Sequence, residues 1–537
     1  MLGLFLAFLF YFCRPYTQDY SKEGSGLFTH LEMFLALDPL VGVSASLASK
    51  TFAWSITIAA AVLLIGAVFP RWFCGYVCPM GTLIDLFDWV VGRRVKFLHI
   101  KHRNWLSNLR FFVLTAVLVS SLFGILISGF VSAIPVITRG MLYIFALFKP
   151  GQIAVWQYLP QLGVWHYVSI ILFLAIFCLG LLRPRFWCAY LCPSGALLSL
   201  ASIFRINERK VEDTCIKCGK CLKTCDFGAI APDFTTRHLE CTFCMSCSDV
   251  CPKNSIKFVP RWNNNIKEKA PGSELQPSYA RRSFLAGVIG VAGAGTGAGI
   301  ASGLKPERSR YANSFPMRPP GSVPEDVFRS KCIRCGECLK ACPVNILQPT
   351  GLELGFDGIW TPVVKLDSSA CQPYCNNCGQ VCPTGAIRAL PIEEKRAARI
   401  AQSEVDKSTC LAHCKKQECG LCVEECKAAG YNALEYIRVG IEYDNWGMPV
   451  EDSGFLAPVV IEEKCVGCGL CQVKCYSANV KEQQLLDKSA IVVKNGAGKE
   501  DRIVKGSYIE LQNERIKKKD SLIPAAPEHE YLPDFLK

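Results

Sequence analysis

The chain carries 31 cysteines in 537 residues, and most stand in groups of four at gaps of two or three residues. CIKCGKCLKTC supplies Cys215, Cys218, Cys221 and Cys225, and CTFCMSCSDVCP supplies Cys241, Cys244, Cys247 and Cys251. A short turn can wrap three thiols around three corners of an iron–sulfur cube with its N–H groups facing the sulfurs. The fourth corner must come from elsewhere. Two C-x2-C-x2-C-x3-C motifs about a dozen residues apart form the two-cluster pattern in which each motif's fourth cysteine serves the other cluster. The spacing therefore predicts one [4Fe-4S] centre on Cys215, Cys218, Cys221 and Cys251, and another on Cys241, Cys244, Cys247 and Cys225. Structural zinc favours paired C-x2-C knuckles without a third nearby thiol, and disulfide frameworks belong to short chains. Asp226 follows Cys225 where proline is usual, which reads as variation rather than loss.

Four more groups follow. CIRCGECLKACP holds Cys332, Cys335, Cys338 and Cys342, CQPYCNNCGQVCP holds Cys371, Cys375, Cys378 and Cys382, and CVGCGLCQVKC holds Cys465, Cys468, Cys471 and Cys475. Between the last two of these in chain order, CLAHCKKQECGLCVEEC offers five thiols: Cys410, Cys414, Cys419, Cys422 and Cys426. Spacing leaves either Cys410 or Cys414 surplus without choosing. The motif count predicts about six [4Fe-4S] clusters.

A different pattern is written twice. RWFCGYVCPMGTLIDLF (71–87) and RFWCAYLCPSGALLSLA (185–201) each follow an apolar run and place two cysteines four apart, Cys74/Cys78 and Cys188/Cys192. Residues four apart share a helix face. Three readings stay open: a four-thiolate metal or cluster site on Cys74, Cys78, Cys188 and Cys192, redox thiols near a quinone, or small buried residues. Cys13 and Cys178, alone in apolar runs, read as small buried hydrophobes.

The elements that must position these groups are apolar and helical. Half the residues are hydrophobic, concentrated before residue 205. Residues 52–69, 111–131 and 164–182 each approach the ~20 residues needed to cross ~30 Å of hydrocarbon. Residues 1–12 read as the second half of a fourth span, which predicts a truncated or misassigned start. Arg71, Arg93, Arg94, Lys96, Lys101, Arg103 and Arg110 crowd one loop, and Arg183, Arg185, Arg205, Arg209 and Lys210 follow the last span. The opposite loops hold few cations, so both C-x3-C-P copies are expected on the cytoplasmic face. Near residue 281, Arg281-Arg282-Ser283-Phe284-Leu285 opens a charge-free Ala/Gly run to Leu304, a pattern like a twin-arginine export signal. The net charge of +13 does not point to nucleic acid, because six oxidised four-thiolate cubanes of roughly −2 each nearly cancel it. The expected fold is a membrane α-helical bundle plus α+β ferredoxin-like iron–sulfur domains. Its parts are a four-span domain over 1–205, a two-cluster ferredoxin over 206–262, a linker and twin-arginine-type anchor over 263–304, and a four-cluster ferredoxin over 305–537.

On these motifs, residues 1–260 resemble the NapH type of membrane ferredoxin, a subunit of the periplasmic nitrate reductase electron-supply system. Residues 278–537 resemble its twin-arginine-exported four-cluster partner, the NapG type. The resemblance implies a fusion that takes electrons from the membrane quinol pool and passes them to a periplasmic reductase or cytochrome, with quinol dehydrogenase as the activity such a component would carry. It implies a multi-pass protein of the cytoplasmic membrane with the first ferredoxin cytoplasmic and the second periplasmic. It favours Cys410 over Cys414, because the Cys410-Leu411 pair matches the third motif of that type. By analogy with four-cluster ferredoxins, the first distal motif pairs with the fourth and the second with the third. The chain departs from the pattern in lacking a basic N-terminal flank and in having Lys427 and Tyr476 where proline often follows the last cysteine. The competing class is a membrane ferredoxin for metal-cofactor assembly or maturation of a respiratory enzyme. No Ser/His/Asp constellation or phosphate-cradling glycine loop stands out. His30, Glu32 and Asp38 could accept quinol protons, though solvated interfacial residues are the favoured account of them.

Overall fold

The computed structural model describes residues 2–13, 32–51, 54–92, 94, 95, 100, 104–147, 163–263 and 316–522, apart from 368, 447, 449, 451 and 452. The export-like segment, the tether and His30 fall outside the described residues, as do the side chains of Cys13 and Glu32. The chain forms two compact units. One comprises Met1–Ala312, Val323–Val363 and Asn377–Ala389, and the other Asn313–Ser322, Val364–Asn376 and Leu390–Lys537.

The first unit is built on helices α1 (Leu2–Cys13), α2 (Pro39–Ser49), α3 (Trp54–Val68), α4 (Pro79–Phe87), α5 (Leu109–Leu122), α6 (Ala133–Leu147), α7 (Val164–Cys178) and α8 (Pro193–Ala201). Among the described residues, one helix, Val164–Leu181, is long and apolar enough to cross a membrane by length and composition, and five shorter ones are apolar. Of the three expected spans, 164–182 forms such a helix, while 52–69 and 111–131 hold the shorter helices α3 and α5 among the described residues. The apolar run 111–131 is not one helix, because α5 ends at Leu122 and Gly124 turns left-handed (φ 81°). The N–H groups of Gly124 and Ile125 return to the carbonyls of Ser121 and Ser120, a glycine-terminated helix end. Two apolar helices, α2 and α6, were not foreseen, since Asp38 and Arg139 interrupt the hydropathy that marks a span.

Asp38 caps α2, accepting from the Leu40 N–H at 3.2 Å, with Pro39 in the first helical position, where a missing N–H costs nothing. Its carboxylate also accepts from the hydroxyls of Ser132 (2.6 Å) and Ser194 (3.3 Å). Asp38 is therefore fully buried, which corrects its reading as a solvated interfacial residue. Cys178 is also corrected: its side chain is exposed, on the outward face of α7.

After α8 comes a two-stranded antiparallel sheet, β1 (Asn207–Val211) with β2 (Ile256–Pro260), in register from Asn207↔Pro260 to Val211↔Ile256. It closes the segment carrying the first two cysteine motifs, and Phe258 meets Phe243 edge-on at 4.8 Å. The second unit has two such ribbons. β3 (Gln402–Val405) pairs with β6 (Ile491–Lys494), and β4 (Leu434–Val439) with β5 (Phe455–Val460). A final helix, α9 (Tyr508–Leu522), buries Tyr508 against Leu390, Ala397 and Ala398.

Candidate iron–sulfur centres

Four of the six motifs have strict C-x2-C-x2-C spacing, and they share one backbone device. The residue before the second cysteine and the residue after it are both left-handed: Lys217 and Gly219, Phe243 and Met245, Arg334 and Gly336, Gly467 and Gly469. Such alternation turns successive N–H groups toward one side and makes an anion-binding concavity, which suits a cube carrying four thiolates. At the fourth cysteine of three motifs the sulfur accepts a backbone N–H: Ala229 to Cys225 (3.3 Å), Ile387 to Cys382 (3.5 Å) and Ala433 to Cys426 (3.3 Å). Hydrogen bonds to sulfur are one lever on cluster potential.

The structure brings Cys215, Cys218, Cys221 and Cys251 around one hollow. Cys241, Cys225, Cys244 and Cys247 lie within electrostatic reach of one another. Burial pushes the Cys241 thiol up to about 12, and Cys422 likewise to about 12. Such thiols keep their protons at neutral pH unless a metal charge displaces them, and metal binding to cysteine does release that proton. The donor set therefore fits iron–sulfur clusters, and the chain's part is to hold the sulfurs and exclude water.

In the distal region the pairing differs from expectation. Cys332, Cys335 and Cys338 share a hollow with Cys382 of the second motif. In the second unit, Cys410, Cys419 and Cys422 share one with Cys475, and Cys465, Cys468 and Cys471 share one with Cys426. The third and fourth motifs exchange their fourth cysteines, as the 215–251 pair does, and the first takes Cys382 from the second. The β4–β5 ribbon lies between the third and fourth motifs and holds them together, contributing Leu434 and Ala457 to the core around their cysteines. Cys342 and Cys378 belong to the first unit, and Cys371 and Cys375 to the second. There, the Cys371 N–H donates to the Cys468 carbonyl at 2.8 Å.

Of the five thiols in the third motif, Cys410 faces the hollow while the Cys414 thiol donates to the carbonyls of Lys407 (3.4 Å) and Ser408 (3.0 Å). Cys410→Ser should remove about four irons from the anaerobically purified chain, and Cys414→Ser should remove none. Iron analysis beside EPR of the reduced protein checks this, and the reverse result would give the ligand role to Cys414.

The duplicated sequence is duplicated in space. Each copy runs from a left-handed arginine, Arg71 (φ 47°) or Arg185 (φ 54°), through a π-helical turn, Phe73–Val77 or Trp187–Leu191. Each ends on an extended cysteine, Cys78 (ψ 114°) or Cys192 (ψ 112°), that starts a helix whose first residue is proline. The arginines are exchanged: Arg71 donates to the Cys188 carbonyl and Arg185 to the Cys74 carbonyl, each at 3.3 Å. Arg185 also pairs with Asp85. Both guanidinium groups lie over the ring of Phe227, at 5.4 Å and 4.8 Å. Phe227 is two residues past Cys225, so the first ferredoxin segment is seated where the two copies meet. The arginine three residues before each first cysteine was the available signal for this, but its partner lies over a hundred residues away.

Two junctions fix the cluster-bearing segments of the first unit. At the start of α5, buried Arg110 grips Glu240 through two bonds of 2.8 and 3.0 Å and also reaches the carbonyls of Leu239 and Ala189. Glu240 directly precedes Cys241. Beyond the other end of α5, Arg334 donates to the Leu126 carbonyl at 2.7 Å and stacks on Phe130. Arg139 of α6, also buried, donates to the carbonyls of Gly129 (3.0 Å) and Arg334 (3.1 Å) and lies over Trp360. Thr138 donates to the Cys335 carbonyl, and the Trp360 indole to the Trp165 carbonyl at the start of α7. None of these contacts could be read from spacing.

Residues 331–386 match the 4Fe-4S dicluster domain, and residues 51–97 and 165–210 match a 4Fe-4S binding domain. The chain is similar to the ferredoxin-type protein NapG of Escherichia coli, 33% identical over 203 residues that cover 37% of this chain and 83% of that protein. It is similar to the methylamine utilization ferredoxin-type protein MauM of Methylorubrum extorquens, 31% identical over 37% of this chain and 85% of that one. It is also similar to NapG of Haemophilus influenzae, 30% identical over 39% of this chain and 72% of that protein. No solved structure matches.

Proposed function

We propose, for a chain that belongs to the family of NapG- and MauM-type ferredoxins and works by iron–sulfur electron transfer, that it relays electrons from a membrane quinol pool to a reductase or cytochrome outside the cytoplasmic membrane. The clusters supply one-electron carriage, and the chain's residues set where each stands. The carrying observation is that α5 joins two cluster-bearing segments. Arg110 at its start holds the Cys241 segment, and Leu126, just past its end, receives Arg334 from the Cys332 segment. α7 repeats the arrangement, with Trp165 bound by Trp360 at one end and Arg183 and Arg185, beyond the other, reaching Asp226 and Phe227. A ferredoxin at each end of the same helices suits passage of electrons along them. In this reading the helices sit in the membrane, the Cys241 end faces the cytoplasm, and the Arg281-Arg282 segment directs residues 305–537 outside. The Nap-type resemblance carries this reading to a nitrate-reducing system, and the methylamine utilization in the name of MauM to an amine-oxidising one.

Six motifs require about 24 irons. Anaerobic membranes containing the chain should show ferredoxin-type EPR signals on addition of a reduced quinol analogue, and protease added to intact spheroplasts should cleave residues 305–537 but spare 206–262. Stoichiometric zinc without iron, or a distal region untouched while an external control is cut, would end the proposal.

A further inference from the structure

We infer that the two C-x3-C-P copies together hold one additional [4Fe-4S] centre, with Cys74 and Cys78 supplying one half of its ligands and Cys188 and Cys192 the other. The inference rests on the relay reading above and adds a site between its two ferredoxin ends. Each copy offers two thiols, half of a cluster's ligand set, and the geometry brings the two halves together. Each copy's arginine is bonded into the other copy beside a cysteine, so the carbonyls of Cys74 and Cys188 are tied to opposite halves. Cys78 and Cys192 are both buried, and each of the four thiols is within electrostatic reach of the others.

The nature of the occupant follows from charge and from ligand spread. Arg71 is wholly buried, its Nε has no hydrogen-bond partner, and no carboxylate lies within ion-pair distance among the described residues. The nearby acids are engaged, Glu240 by Arg110 and Asp85 by Arg185. A buried unpaired guanidinium is costly, and a four-thiolate cluster of net negative charge beside it removes that cost. A single zinc ion would need the thiols drawn into a tight tetrahedron. Among the described residues no three His, Cys, Asp or Glu side chains gather that closely. The same holds for the ferredoxin-type sets. The Cys192 sulfur accepts the Gly195 N–H at 3.4 Å, the kind of N–H to sulfur contact made at Cys225, Cys382 and Cys426. Gly81 is the equivalent residue in the first copy, and a Cβ there would lie 3.3 Å from the Cys74 carbonyl and one at Gly195 2.9 Å from an Arg71 nitrogen. Forming the centre replaces four thiol protons with iron. In use it takes up one electron and gives it on, with no bond to substrate made or broken.

Three variants of the full chain, purified anaerobically, separate a shared centre from other arrangements: Cys74→Ser, Cys188→Ser and the double substitution. Against wild type with about 28 irons, each single variant should lose about four irons and about four acid-labile sulfides, and the double should lose no more. The dithionite-reduced EPR signals of the six ferredoxin-type centres should persist in all three, which shows that the fold survives, and Cys178→Ser, an exposed thiol elsewhere, should lose nothing. Unchanged iron and sulfide in the single variants overturns the inference, as does additive loss in the double, loss of zinc instead of iron, or a fully loaded wild type with about 24 irons. Absence of iron altogether would sink the relay reading itself and is distinguishable from these.

Discussion

On the proposed relay, Gly129→Ala should leave every cluster in place yet largely disconnect the Cys332 centre from quinol. A Cβ at residue 129 would lie 2.2 Å from the Ile333 carbonyl oxygen and 2.7 Å from its carbon, and these are backbone atoms that cannot rotate away. Ile333 sits between Cys332 and Arg334, so the atom displaced is part of the ligand loop itself. Overpacking of this kind costs about 1–3 kcal/mol, which shifts a docked-to-undocked balance about 5- to 150-fold. Alanine favours helix over glycine by about 0.5–1 kcal/mol, and Gly129 lies in the short helix Ser128–Val131, so a loss cannot be put down to a weakened local helix. The expected result is slow reduction of the Cys332 centre by a quinol analogue in membranes, with full reduction by dithionite and unchanged iron content. Quinol-driven reduction at the wild-type rate would show that this junction does not carry the current.

The second large effect is expected at Glu240. Arg110 is wholly buried and Glu240 nearly so, so Glu240→Ala leaves a guanidinium in a dry junction with only carbonyls to receive it. Removing one partner of a buried pair costs about 3–5 kcal/mol. Heating the variant should release the first ferredoxin's iron well below the wild-type temperature, read as loss of visible absorption during the melt. Arg110→Met with Glu240→Leu removes both charges and should recover most of the loss, because replacing a buried pair by apolar groups is often neutral or better. If the double variant is no more stable than Glu240→Ala, the pair matters through its aim at Cys241 and not through desolvation.

The cysteine chemistry was legible because cluster ligation is largely local. Three thiols on one short turn announce a cube, and the left-handed residues around Cys218, Cys244, Cys335 and Cys468 follow from having to wrap it. What was not legible is long-range. The third distal motif pairs with the fourth because the β4–β5 ribbon holds them together, and no spacing rule encodes that. Hydropathy overlooked α2 and α6 because Asp38 and Arg139 sit within or beside them as buried, bonded groups, and it read straight through Gly124, whose left-handed turn ends α5. The two arginines that begin the repeated sequence were in plain view, but their exchange between copies appears only once the chain is folded. Asp38 shows the same limit, since a carboxylate looks solvated until Ser132 and Ser194 are seen to close over it.

The placement of Glu240 and Arg334 beyond opposite ends of α5 has an electrical consequence. The helix has 14 residues, about 21 Å of rise, and an electron that travels from one junction to the other displaces a charge along that axis. With the helix in an energised membrane, negative inside, an electron leaving the Cys241 end for the Cys332 end moves down the voltage. A full crossing gains about 2.3 kcal/mol per 100 mV. Such a protein would draw on the membrane voltage as well as on the redox span between donor and acceptor, and its turnover would slow when an ionophore collapses the voltage even though donor and acceptor concentrations stay the same.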